Sequence, residues 1–239
     1  MTRPYIHKIK DSKTQPKFSI IILGAGLGTR INGESKPLLK MGGETVIKRQ
    51  LRLLKAKYGA GADITFVGGY KYAEVISHIK DDCKIVINER YTETNVAYSL
   101  FLGLLATSHR NCLVVYGDLI FDYDALPGIA DSSLLVVDDH QMKKEEIGVM
   151  VQAHQAVNML YEPKTKWCQI GYFTPDYTLP LFDYCRVSNH HKHFGYEAIN
   201  HLLSEVGSIN TVQCGGKINE IDLYKDLEEA RIKFHEGHM

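Results

Sequence analysis

The chain has 239 residues, 44% of them hydrophobic, with 28 Lys and Arg balanced by 28 Asp and Glu; this suits one sizeable α/β core and excludes a global basic field for nucleic acid or an anionic membrane. The five cysteines, Cys83, Cys112, Cys168, Cys185 and Cys214, are odd in number, widely spaced and free of C-x-x-C pairs, so neither a disulfide framework nor a zinc site is expected and a reducing cytoplasm fits. No apolar stretch reaches membrane-spanning length, and residues 1–17 lack the apolar core of a signal peptide; they read as a leader extension ahead of a single domain over 18–239.

The first element is a buried strand over 20–23, three isoleucines and a leucine, which feeds the glycine turn Gly24-Ala25-Gly26-Leu27-Gly28. A dinucleotide fingerprint does not fit, because Thr29 stands where the third glycine belongs and the expected downstream acid falls in a turn at Glu44. A P-loop fails for want of a glycine-lysine-serine/threonine triplet. The turn remains a small-residue surface on which a base and phosphates can lie close to backbone, followed by the cations Arg30 and Lys36.

An amphipathic helix follows over 46–57, then strands over 64–67, 85–87 and 112–116, with helical segments between most of them and a helix over 95–106. This alternation predicts a layered sheet with helices on both faces, ligands at the carboxyl ends of its strands, and Gly24, Gly68 and Gly117 along one edge. Strands then crowd at 134–137, 147–151, 156–160 and 169–173, so this half is expected to be mixed or antiparallel. Helices over 193–205 and 222–235 complete the reading.

The series Gly24-Ala25-Gly26-Leu27-Gly28-Thr29-Arg30, then Lys36-Pro37-Leu38-Leu39, resembles the signature of the nucleotidylyltransferases, which join a nucleoside triphosphate to a phosphorylated small molecule and release pyrophosphate. The segment Thr94-Asn95-Val96-Ala97-Tyr98-Ser99 and the element Glu220-Ile221-Asp222 are similar to the branch acting on phosphocholine and phosphonates. The resemblance implies a Rossmann-like three-layer α/β/α fold with a central mixed, mostly parallel sheet. It implies Mg²⁺ held by Asp118 and Asp222, Arg30 on the β- and γ-phosphates, and Lys36 on the α-phosphate and its transition state. Leu23, Gly24, Ala25, Gly26, Gly28, Thr29, Gly69, Asn95, Ser99 and Gly117 would line the nucleotide site, with CMP transfer from CTP favoured over uridylyl or thymidylyl transfer to a sugar 1-phosphate.

Some assignments stay open on sequence alone. Asn95 and Asp222 each suit a helix cap as well as a ligand contact, and Asp138, Lys164, Lys166 and Glu197 are candidates for the acceptor side. Glu220 is placed beside the metal as a water-mediated partner, and 189–193, rich in histidine, reads as a polar loop rather than a metal site. The expected partners are a nucleoside triphosphate and a small phosphorylated acceptor, not nucleic acid or membrane; a homodimer is compatible with this reading.

Overall fold

The computed structural model describes residues 17–28, 31, 33–139, 146–161 and 164–234. Nearly all of the predicted leader lies outside these, as do Thr29, Arg30, His140 and His235. The chain runs through β1 (Ser19–Gly24), β2 (Lys40–Met41), β3 (Glu44–Thr45), α1 (Val46–Tyr58), β4 (Asp63–Gly68), α2 (Tyr72–Ile79), β5 (Lys84–Ile87), α3 (Val96–Leu105), β6 (Cys112–Tyr116) and β7 (Leu119–Phe121). It continues with β8 (Leu134–Asp138), β9 (Ile147–Gln152), β10 (Gln155–Tyr161), β11 (Thr165–Phe173), α4 (Pro175–Cys185), α5 (Gly195–Glu205), β12 (Ile209–Gln213), β13 (Ile218–Glu220) and α6 (Tyr224–Lys233).

Nine strands form one mixed sheet in the order β5-β4-β1-β6-β11-β8-β12-β10-β9. The β5-β4-β1-β6 half is parallel, the product of βα crossovers, whereas β11 runs antiparallel to both β6 and β8. Ile20 and Ile22 enter one core with α1 and α2, while Ile21 and Leu23 enter a second core with α3, α4 and α5. Both faces of β1 are therefore dry, which is why its sequence is continuously apolar rather than alternating. A third, smaller cluster joins α6 to β7 through Leu227 and Ile120, with Ile221 just after β13 and Phe234 just after α6.

The strand edge that faces the cleft is built from glycine. Gly24 lies in register with Gly68, and Gly117 donates its N–H to the Leu23 carbonyl at 2.8 Å. A Cβ at residue 117 would stand 2.9 Å from Gly24 Cα, so the two chains approach only because neither carries a side chain. Farther along, β11 changes register between Trp167 and Gly171, and Gln169 there adopts a left-handed backbone with φ 56°.

Two elements escape the periodicity argument. Helix α4 carries Pro175 in its first turn, where the missing N–H would be unpaired anyway, and Pro180 inside, which reads as a breaker in sequence. Strand β12 is short and half-exposed, and its place between β8 and β10 comes from long-range pairing.

Candidate active site

At the carboxyl ends of β1, β5 and β6 the sheet opens into a cleft of about 490 Å³. Leu23, Gly24, Ala25, Gly26 and Gly28 form one wall, and Lys36, Gly117, Asp118 and Asp222 form the floor. Gly28 has φ 60°, and a Cβ there would run into the Glu34 carbonyl oxygen, so the turn that returns the chain to Lys36 requires glycine.

Lys36 opens a short 3₁₀ turn whose second residue, Pro37, is buried. Its ammonium donates to Asp118 Oδ2 and Asp222 Oδ1, both at 2.9 Å, and so bridges residues 82 and 186 positions away. Burial alone would lower the Lys36 pKa, but the charges of Asp118 and Asp222 outweigh it and raise the pKa above the ordinary lysine value.

Asp118, Glu220 and Asp222 bring carboxylate oxygens within 4.8 Å of one another. Asp118 Oδ1 is buried with no hydrogen-bond partner among the described residues, which leaves an unsatisfied acceptor in a residue that lines the cleft. Burial first, then the neighbouring Asp118 charge, pushes the Glu220 carboxyl up to about 7, against the Gln169 amide, which favours its ionised form. Three hard oxygen donors so placed fit a small divalent cation such as Mg²⁺.

Asp222 does not cap α6. The cap residue is Leu223, and the buried carboxylate of Asp226 reaches back to the N–H groups of Asp222 and Leu223, at 2.9 and 2.7 Å. Asp226 thereby frees the Asp222 side chain to face Lys36, a positioning role that a lone acid in the first turn of a helix does not announce in sequence.

On the opposite wall, Asn95 lines the cleft and also closes the start of α3, accepting from Val96 N–H at 2.9 Å. The cap is thus formed, and the residue stands on the cleft wall as well. Ser99 is buried and accepts from Asn88 Nδ2 at 3.0 Å. Asn88, absent from the sequence reading, also donates to Thr94 Oγ1 and accepts from Arg90 N–H, which fixes the approach to α3 from the inside.

A second cavity of about 200 Å³ adjoins the first, with Val96, Tyr116, Gln169, Phe194, Glu220 and Asp222 shared between them. Trp167 and Tyr196 complete an aromatic lining, with the Tyr116 and Trp167 rings edge-on at 5.6 Å. Lys166 is here, its ammonium 2.5 Å from Glu146 and 3.8 Å from Glu220. A Cβ at Gly195 would collide with the Tyr116 hydroxyl, so glycine at the start of α5 is what lets this wall close.

Four other sequence candidates line neither cavity. Asp138 is buried, accepting from Gly216 N–H at 2.9 Å and Cys214 Sγ at 3.3 Å, because it ends β8 on the face that packs inward. Glu197 accepts from Phe194 N–H at 2.7 Å and closes the start of α5. Lys164 is exposed. Gly69 sits behind the wall, where a Cβ would meet the Ala25 carbonyl at 2.7 Å. The histidines of 190–193 pack by ring contact, His190 and His193 on Tyr184, between α4 and α5. Thr29 and Arg30 lie outside the described residues.

A cleft at the carboxyl ends of parallel strands, walled by backbone and floored by one lysine among carboxylates, is suited to a polyphosphate and the charge it develops. With the mixed sheet behind it, it defines a nucleotidyltransferase. Residues 20–159 match the family model of the MobA-like NTP transferase domain, over half of the chain, and the protein belongs to that family. Its fold is similar to that of LicC, the CTP:phosphocholine cytidylyltransferase from Streptococcus pneumoniae, at 18% identity and TM-score 0.76, covering 92% of this chain and 100% of that one. The inositol-1-phosphate CTP transferase from T. maritima superposes with TM-score 0.75 at 17% identity, over 94% and 99% of the two chains. A UDP-glucose pyrophosphorylase gives 0.70 at 12% identity, over 93% and 99%. No curated protein matches in sequence. Among the described residues, no helix is long and apolar enough to cross a membrane.

Proposed function

We propose that this nucleotidyltransferase transfers CMP from CTP to a phosphate or phosphonate oxygen of a small acceptor with a cationic head group. The observation that carries the reading is the pair of adjoining cavities meeting at Glu220 and Asp222, one walled by backbone and one by aromatic rings with acidic groups. Rings attract ammonium groups through their negative faces, and with Glu146 already paired to Lys166 it is this aromatic wall that favours a cationic head group. Phosphocholine and aminoalkyl phosphonates fit such a pocket better than a neutral sugar does.

Asp118 and Asp222, with Glu220 beside them, would hold Mg²⁺, which when bound neutralises charge on the triphosphate. The acceptor oxygen attacks the α-phosphorus, and the bond from that phosphorus to the bridging oxygen breaks as pyrophosphate leaves. Lys36 donates to the non-bridging oxygens, where charge accumulates, and Lys166 orients the acceptor phosphate. No side-chain nucleophile takes part, since the acceptor brings its own oxygen. Backbone groups of the glycine wall and the Asn95 amide read the pyrimidine edge.

The test is a matrix of four nucleoside triphosphates against phosphocholine, 2-aminoethylphosphonate and glucose 1-phosphate with Mg²⁺, scored by pyrophosphate release. CTP with a cationic acceptor is expected to lead, at least about tenfold over UTP in kcat/KM, because the wrong group at C4 leaves a buried partner unpaired. Turnover of UTP or dTTP with glucose 1-phosphate in its place would overturn the reading.

A further inference from the structure

Among the described residues, a second cluster of metal-ligating side chains lies outside the catalytic cleft: Asp138, Cys168 and Cys214, all buried, with ligand atoms within 4.8 Å of one another. Asp138 ends β8, Cys168 lies on β11 at one side of it, and Cys214 directly follows β12 at the other. Cys168 Sγ is 3.7 Å from Cys214 Sγ, and Cys214 Sγ is 3.3 Å from Asp138 Oδ2.

A disulfide does not suit this placement. Trp167 and Gln213 register with the same residue, Val137, from opposite sides, so β8 lies between the two strands that carry the cysteines. The sulfurs stand 3.7 Å apart against about 2.05 Å in a disulfide, and closing that gap would draw the two outer strands together across β8. The sulfur separation suits a metal instead: two thiolates about 2.3 Å from a tetrahedral ion lie about 3.8 Å apart, and a carboxylate oxygen lies about 3.5 Å from each.

We propose that Asp138, Cys168 and Cys214 form a three-ligand site for a thiophilic divalent cation of the Zn²⁺ class, separate from the oxygen-lined Mg²⁺ site of the cleft. Binding releases the two thiol protons to solvent and leaves three protein ligands with a fourth position for water. The resulting excess negative charge is offset in part by the Lys166 ammonium, two residues before Cys168 on the same strand. Cys214 opens the turn through Gly215 and Gly216, both with positive φ, that runs into β13 and Glu220. The bound ion therefore clamps the base of the segment that delivers Glu220 and Asp222, and thiolate ligands select it against Mg²⁺.

Titration of the metal-stripped full-length chain with Co²⁺ tests the site. One equivalent is expected to produce a thiolate-to-cobalt charge-transfer band that Zn²⁺ abolishes, that Asp222→Ala retains, and that Cys168→Ser and Cys214→Ser each lose. Cys168 and Cys214 are buried even without metal, so the wild-type readout is a rate: Zn²⁺ should slow the reaction of two of the buried thiols with a thiol reagent below that of the metal-stripped chain. No band with excess Co²⁺, a band that survives both cysteine substitutions, or thiol reaction rates that Zn²⁺ leaves unchanged would overturn the proposal.

Discussion

Lys36→Met removes one ammonium and keeps most of the aliphatic stem. In the wild type that ammonium satisfies two carboxylates at 2.9 Å, one on the Asp118 side and mostly shielded, the other on Asp222, whose side chain is 40% exposed. A hydrogen bond to a charged group contributes about 1.5–3 kcal/mol when buried, and the Asp222 arm is screened by solvent, so the variant should lose about 1–3 kcal/mol of stability in the absence of divalent ions. Mg²⁺ should recover much of this loss, because it supplies positive charge to the same oxygens. The loss in turnover is separate: removal of one donor from the charge that develops on the α-phosphate costs about 2.7–4 kcal/mol, or 10²–10³ in kcat. Because its carboxylate partners keep the Lys36 pKa above the ordinary value, its charge is constant across a neutral assay range and the defect should not vary with pH there. Steady-state kinetics with varied CTP, beside denaturant unfolding with and without Mg²⁺, measure both effects. If KM rises while kcat is unchanged, Lys36 serves ground-state binding alone and the argument fails.

Asp118→Ala and Asp222→Ala should each abolish turnover at millimolar Mg²⁺ while leaving the circular dichroism spectrum unchanged; near-wild-type kcat in either excludes that residue as a ligand. Asp226→Ala should lower stability by about 1–2 kcal/mol and reduce kcat through a displaced Asp222, whereas Asp226→Asn, which still accepts at one oxygen, should recover part of both; melting and kinetics report the two together. Burial works against the Asp63 carboxylate, but hydrogen bonds from Lys84, Ser19 and Ser108 N–H hold its pKa down at about 2. Its contribution is therefore complete above the unfolded value of about 3.9 and lost as pH falls towards 2, so the acid side of the unfolding-midpoint curve should flatten in Asp63→Asn.

Local chemistry made one part of this protein legible from its residues alone. The run Ile20 to Leu23 announces a strand buried on both faces, and the glycines at 24 and 117 announce close backbone approach, because these follow from the chain's own sterics and apolar pattern. Lys36, Asp118 and Asp222 stood out because each sits in a short motif beside such an element, and the fold brings the three together across up to 186 positions. Only tertiary structure separated Asp222 from its helix by the reach of Asp226, buried Asp138 away from the cleft, and gathered Tyr116, Trp167, Phe194 and Tyr196 into one wall. Cysteine spacing pointed away from a metal site, yet the sheet carries Cys168 and Cys214 to either side of β8, 3.7 Å apart at sulfur. Motifs record what neighbours along the chain do, whereas strand order, set by burial of both sheet faces and by register, decides which distant side chains share a volume.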